Sequence, residues 1–358
     1  MNANTVIFAV VVGLGLLTAR RTPATWQRAL PLGFMAGVLL LAPTFSDNLS
    51  VLTPVFIGAL LGMGWNIIGG YAGYGSFGQV AFFGIGAYAM AASIATTESF
   101  LALPPVAGLL IAAVVSGVYA LLVGLPVLRL RGHYFAITTL TLAIATQQLV
   151  KNLDFLGGTS GISTPIIRNQ QVLFAELDRD TYFYFLGFIL TAGAVFATWW
   201  LSRSKFGYGL QAIRENEDAA ASMGVDTTRY KLQAFVIAAI ITGVAGALQA
   251  YLRSGVSPED DGVFQIRFNL LPLIIPLIGG TGTVWGPLIG AFAFLGIEHV
   301  LTSASGSSTF VQDWERVITG AIIVAVVLFL PRGLVQLVGS RGPRGWRVFA
   351  DNIRATRV

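Results

Sequence analysis

Eleven apolar runs follow one another along this chain, near residues 5–19, 30–45, 51–69, 76–96, 104–127, 133–150, 182–201, 230–252, 266–280, 284–301 and 314–331. A helix that crosses a bilayer needs about 20 consecutive apolar residues, and runs of roughly 15–25 are read here as spans. Composition agrees. The chain is 55% hydrophobic and 11% charged, whereas soluble domains carry about 25% charged residues. The expected fold is therefore an all-α integral membrane bundle of about 10–11 transmembrane segments. The runs near 266–280 and 284–301 are short and are expected to be tilted or re-entrant.

Basic residues orient the bundle. With alternating spans and the N-terminus outside, 16 of the 22 Lys and Arg fall on the inner side, Arg129, Arg131, Arg203, Lys205, Arg214, Arg229 and Lys231 among them. The positive-inside rule then gives an outer N-terminus and a cytoplasmic C-terminus. No Lys or Arg precedes Arg20, so the first run lacks the basic start of a signal peptide and reads as a retained span. The net charge of +5 reports orientation and gives no sign of nucleic-acid binding. Two long polar segments remain, 151–181 outside and 203–231 inside.

Two glycine clusters interrupt the spans. One runs from Gly69 through Gly73 and Ser76 to Gln79; the other runs from Gly279 through Gly280 and Gly282 to Pro287. Backbone that leaves the helix at membrane depth is tolerated only inside protein or beside a water-filled cavity. Paired broken segments mark the solute path in many transporters. Asn66, Gly73, Ser76, Gln79, Gly280 and Gly282 are the candidate path residues. Gly84, Gly86, Gly243 and Gly246 read instead as close-packing positions between helices, and Gln249 as structural.

No Asp, Glu, Lys or Arg lies clearly in mid-span. Ion-coupled carriers usually need such a group, so the energy source is expected on another chain. Catalytic signatures are lacking too. Lys151, Lys205 and Lys231, the only lysines, stand outside any P-loop context, and there is no cysteine. His133 and His299 are far apart, so no metal centre or cofactor is expected. A catalytic role is not expected either.

Within the inner segment, Leu210–Met223 reads as one amphipathic helix of about four turns stopped by Gly224. Leu210, Ile213, Ala220 and Met223 form its apolar face, expected to lie in a groove of a soluble partner. Arg214, Glu215, Glu217 and Asp218 supply polar contacts.

Asp218-Ala219-Ala220, with Gly224 after three intervening residues, resembles the EAA-xxx-G coupling motif of ABC importer permeases. Gly69-Gly70-Tyr71-Ala72-Gly73, Ala81–Tyr88, Leu128–Gly132, Ala212–Glu217, Thr228–Leu232 and Gly279–Pro287 occur in the order found in the M-type permease of branched-chain amino-acid (Liv-type) importers. The resemblance runs from about Val55 to Leu334. It divides the chain into N-terminal spans (1–50), a permease core (51–334) and a basic tail (335–358). It implies a multi-pass subunit of a bacterial inner (plasma) membrane, paired with a second, H-type permease. Two cytoplasmic ATPase subunits and a substrate-binding protein on the outer face complete the implied machine. Arg214, Glu217, Asp218, Ala219, Ala220 and Gly224 are the implied ATPase-coupling residues. Loops 151–181 and 254–267, with Glu259, Asp260 and Asp261, are candidates for meeting the binding protein. Gln79 stands where this family often carries His. Branched-chain amino acids or a related small polar solute are the expected cargo; urea, short amides or aromatic acids are alternatives within the same permease type. A stand-alone channel or secondary carrier is the alternative class.

Overall fold

The structure, a computed structural model, describes residues 49–95, 104–164, 169–172, 175–259, 262–305, 320 and 333–335. The expected spans 5–19, 30–45 and, apart from Gly320, 314–331 lie outside the described residues, as does the tail beyond Val335. The rest is an all-α polytopic bundle. In chain order its helices are α1 (Leu52–Trp65), α2 (Gln79–Ile94), α3 (Pro105–Val127), α4 (Gly132–Lys151), α5 (Arg179–Ser202), α6 (Lys205–Glu215), α7 (Glu217–Ser222), α8 (Thr227–Arg253), α9 (Ile266–Gly279) and α10 (Gly286–Ser305). A π-helical turn, Asn66–Tyr71, extends α1. Four of these segments are long and apolar enough to cross a membrane: Leu52–Tyr71, Pro105–Val127, Arg179–Ser202 and Thr227–Arg253. The shorter apolar helices α2, α9 and α10 flank the two glycine clusters.

Burial separates two roles among the long helices. The span through α1 has 83% of its most apolar window buried, whereas α3 has 33%. Both are apolar, so periodicity does not sort them. The exposed residues of α3, including Val106, Leu110, Val114, Val118 and Leu122, are stable only against lipid or another apolar chain. Helix α1 sits at the centre and meets α5, α8, α9 and α10, while α8 packs along α2 and α3 as well.

Small residues set the closest approach. A Cβ on Gly86 would meet the Gly243 carbonyl, and one on Gly246 would meet the Phe83 carbonyl. Helices α2 and α8 therefore cross backbone to backbone, as small-residue interfaces in membranes do. Aromatic rings fill the space beside this crossing, with Phe82 edge-on to Phe235 at 5.1 Å.

The end of the bundle opposite the glycine clusters carries a small β structure, which the all-α expectation did not include. Strand β1 (Ile162–Ser163) pairs antiparallel with β4 (Gly255–Val256), and β2 (Asn169–Val172) forms a hairpin with β3 (Ala175–Asp178). Gln147 donates to the Pro258 carbonyl at 2.8 Å, and Arg179 donates to the Leu252 carbonyl at 2.6 Å. The loops 151–181 and 254–267 are thus joined into one surface. Glu259 is exposed on it; Asp260 and Asp261 lie outside the described residues.

The α2–α8 crossing is testable. Gly246→Val should cost about 2–4 kcal/mol by forcing the helices apart. Gly193→Ala, at an exposed position inside α5 where a Cβ meets nothing within 4 Å, should instead raise stability by about 0.5–1 kcal/mol through helix propensity. Thermal midpoints of the purified subunit in detergent check both.

Candidate functional site at the two helix breaks

Continuing α1 as a π-turn displaces its hydrogen bonds and leaves groups to be paired. Tyr74 N–H donates to Ile68 O at 3.0 Å. The Gly70 carbonyl, which Tyr74 would have served in a continuous α-helix, is left for another donor. Arg214 Nη1 fills the vacancy at 2.7 Å. The second break shows the same accounting. Helix α9 ends at Gly279, so Gly282 N–H no longer reaches Ile278 O. Asn66 Oδ1 accepts from Gly282 N at 2.7 Å, and Leu334 N takes the Ile278 carbonyl at 2.8 Å. Asn66 Nδ2 also donates to Thr283 O at 2.9 Å. One side-chain amide therefore clamps the second break to the first with both of its ends.

The glycines at this junction leave room for these contacts. Gly73 and Gly282 have φ of 76° and 72°, the left-handed region that favours glycine. A Cβ on Gly282 would stand 2.6 Å from Arg214 Nη1, and one on Gly73 would stand 2.9 Å from Arg214 Cγ. The Arg214 side chain thus lies in the seam between the breaks.

Of the six candidate path residues, Asn66, Gly73, Gly280 and Gly282 meet at this junction, while Ser76 and Gln79 follow the first break and bond to Trp65 and Thr242. Asn66 is 0% exposed. The Ser76 carbonyl accepts from Trp65 Nε1 at 2.8 Å, and Gln79 Oε1 accepts from Thr242 Oγ1 at 3.0 Å. Gln79 Nε2 is buried without a partner among the described residues. Gly280 caps α9 at φ 132°. Asn66, Ser76 and Gln79 are sealed within the chain in this conformation.

The inner segment departs from its expected form. One helix over 210–223 is replaced by two, α6 and α7. Asn216 between them is extended, at φ −161° and ψ 110°, and its side chain accepts from Ala219 N as the N-cap of α7. A run of good helix formers hides this, because a local side-chain bond competes with the helix at one position. The stop at Gly224 is as read. Gly224 has φ 87°; Val225 N donates to Ala220 O at 3.1 Å and Gly224 N donates to Ala221 O at 2.9 Å. This is a Schellman pair of bonds, which favours glycine at that position.

The apolar face also points elsewhere. Leu210, Ile213 and Ala220 are buried in the chain's own core, so they offer no groove contact to a partner. Met223 stays 85% exposed, and Asp218 and Ala219 are exposed beside it. Arg214 and Glu217 reach inward, while Asp218 and Met223 face out.

Glu217 belongs to a cluster that sequence spacing does not reveal. Lys231, only 3% exposed, donates to Glu217 Oε1 at 2.6 Å and to the Tyr74 hydroxyl at 3.1 Å. The Tyr74 hydroxyl also donates to Glu217 Oε2. Arg131, from the α3–α4 turn, lies 3.4 Å from Glu217 and 2.9 Å from Asp218. The Arg131–Asp218 pair is solvent-exposed and worth little by itself. The Lys231–Glu217 pair is not, because a buried ammonium needs its partner. Desolvation, the largest influence, pushes the Glu217 carboxyl up. Hydrogen bonds from Lys231 and Tyr74, and the charges of Lys231 and Arg131, outweigh it and hold the group below its ordinary value.

That lowered value sets a direction with pH. A carboxylate held below its unfolded pKa stabilises the fold above the ordinary carboxylate range of about 4.3. The contribution is lost as pH falls through the lowered value. Glu217→Gln should therefore cost roughly 2–3 kcal/mol at pH 7, less than a fully buried pair because the site is partly open to water. The difference from the parent should shrink as the pH falls below the ordinary carboxylate range, which melting curves across the acid range would show.

Comparison with known proteins fits this geometry. The family described as "Branched-chain amino acid transport system / permease component" matches residues 48–327. The high-affinity branched-chain amino acid transport system permease protein LivM of Salmonella typhimurium is 28% identical over 314 residues, covering 82% of this chain and 70% of that protein. LivM of Escherichia coli is 28% identical over 334 residues, covering 85% and 75%. A probable LivM of Methanocaldococcus jannaschii is 24% identical over 313 residues, covering 77% and 89%. No solved structure matches the chain. The chain belongs to the branched-chain amino acid transport permease family, as a multi-pass inner-membrane subunit of an ABC importer for a small polar solute and not an enzyme.

Proposed function

We propose that this subunit pairs with a second, homologous permease to enclose a path for branched-chain amino acids. Two ATPases sit on the cytoplasmic face of the assembly, one of them docked on the α6–α7 segment, and a binding protein delivers solute at the opposite end of the bundle. The observation that carries the reading is the placement of the coupling segment. It is tied to the first break by Arg214 and presents Asp218, Ala219 and Met223 outward. Force applied to its outer face thus has a direct route to the place where two spans are interrupted. Asn66, Gly73, Ser76, Gln79, Gly280 and Gly282 are the path-lining positions in this reading, reached by solute when the seam opens. The basic residues Arg131, Arg214 and Lys231 gather at the coupling-segment end. That supports a cytoplasmic coupling segment and an outer N-terminus. The joined loops around β1–β4 then form the receiving surface for the binding protein. The names of the LivM relatives support the solute class.

The decisive experiment is reconstitution in proteoliposomes. Leucine uptake should require ATP and all partner subunits; flux through this chain alone would overturn the importer reading in favour of a channel or carrier. Urea, a short amide and an aromatic acid, tested as competitors, decide the solute class. Within the assembly, Met223→Asp should lower ATPase retention about tenfold by placing a charge at the exposed apolar contact. Gly224→Ala, strained at positive φ, should cost about 1 kcal/mol in the α7 terminus and reduce uptake several-fold with the subunit still inserted.

A further inference from the structure

We infer that Arg214 and Asn66 act in series as a latch on the inner gate, Arg214 as the part moved by the coupling segment and Asn66 as the part that seals. This rests on the importer reading above. Asn66 holds the two breaks together through Gly282 N and Thr283 O. It is fully buried, whereas Arg214 is exposed although its Nη1 reaches the Gly70 carbonyl. The order of events follows from that difference. Water reaches the Arg214–Gly70 bond before it reaches the Asn66 bonds.

The coupling segment is built to move one of its attachments and hold the other. Helix α7 is fixed by Glu217 to buried Lys231 and to Tyr74. Helix α6 is packed by Leu210 and Ile213, both buried, and carries Arg214, which donates to one neutral carbonyl. The extended residue Asn216 lies between the two helices. A rotation of α6 about Asn216 that keeps Leu210 and Ile213 packed withdraws Arg214 from the seam while α7 stays anchored. The bare Gly70 carbonyl then needs water, since an unpaired backbone group at membrane depth is costly. Water entering there competes for Gly282 N and Thr283 O, which frees the Asn66 clamp. Solute passage and hydration of the seam are one event in this device. Arg214 is a positioning residue; it acts through the breaks.

The test uses the complete importer in proteoliposomes. The chain has no cysteine, and Ala72→Cys places a single thiol at a buried position, 1% exposed, at the end of the first break. A water-soluble maleimide is added on the ATPase side, with and without nucleotide, and labelling of this subunit is read by mass. With Arg214 present, labelling should switch between protected and labelled as nucleotide is added or removed. With Arg214→Ala, labelling should no longer depend on nucleotide, and ATP hydrolysed per solute imported should rise about tenfold, the scale of one lost charge-assisted bond. Arg214→Lys, which can still donate to Gly70 O, should restore part of the switch. Asn66→Ala should be labelled in both states, and adding Arg214→Ala to it should change nothing further. Nucleotide-dependent labelling and an ordinary coupling ratio in Arg214→Ala would overturn the latch, as would protection in Asn66→Ala. If Asn66→Ala does not accumulate, the Arg214→Ala and Arg214→Lys pair decides. Absence of ATP-driven uptake in the parent importer would instead remove the function the latch rests on, so the two failures are distinguishable.

Discussion

Backbone amides and carbonyls freed at membrane depth must find partners, and in this chain the pairing fixes the arrangement of everything around it. Two spans stop being regular helices, at Asn66–Tyr71 and after Gly279. In water the loose groups would cost little. In a low-dielectric interior each unpaired one costs on the order of 1–3 kcal/mol. The chain satisfies them with side chains brought from elsewhere: Asn66 for Gly282 and Thr283, Arg214 for Gly70. A main-chain bond from Leu334 to Ile278 completes the set. The two breaks are held to each other by Asn66, and each draws its remaining partner from elsewhere in the chain.

Much of this was legible in the residues. The described spans fall within a few residues of the apolar runs, because bilayer thickness dictates their length. The glycine clusters located both breaks, and the helix-packing glycines 86, 243 and 246 lie at backbone crossings as read. Gly224 was legible because a Schellman stop favours glycine. Partners distant in sequence were not legible. Thr283 and Arg214 lie well over a hundred residues from Asn66 and Gly70, and no local pattern joins them. Lys231 read as an inner-side cation that sets orientation, yet it is buried. A lone lysine at a helix start gives no signal that Glu217 and Tyr74 surround it.

The coupling segment shows where local reading fails and why. Its residues from Leu210 to Met223 are mostly helix formers, with Asn216 and Asp218 disfavoured. Helix propensity differences of a few tenths of a kcal/mol are small beside an N-cap bond worth about 1 kcal/mol. Asn216 takes that bond with Ala219, and one helix becomes two. The same break reassigns the apolar residues. Leu210 and Ile213 on α6, and Ala220 on α7, each turn toward the permease core, which a single straight helix in a partner's groove would not permit.

The two inward attachments differ in kind, and that difference gives the segment its mechanical character. Glu217 is held by charge-assisted bonds to a buried ammonium and by a phenol hydroxyl, so displacing it would strand Lys231 in a dry site. Arg214 gives up less, because its guanidinium already reaches solvent and its acceptor is neutral. A load on the exposed outer face therefore meets a stiff polar attachment on α7 and a weaker polar one on α6, whose Leu210 and Ile213 stay packed in the core. The weaker attachment is the one wedged between the breaks, against Gly73 and Gly282. Substituting a side chain at either glycine would crowd the path of the guanidinium, which is why glycine suits both positions.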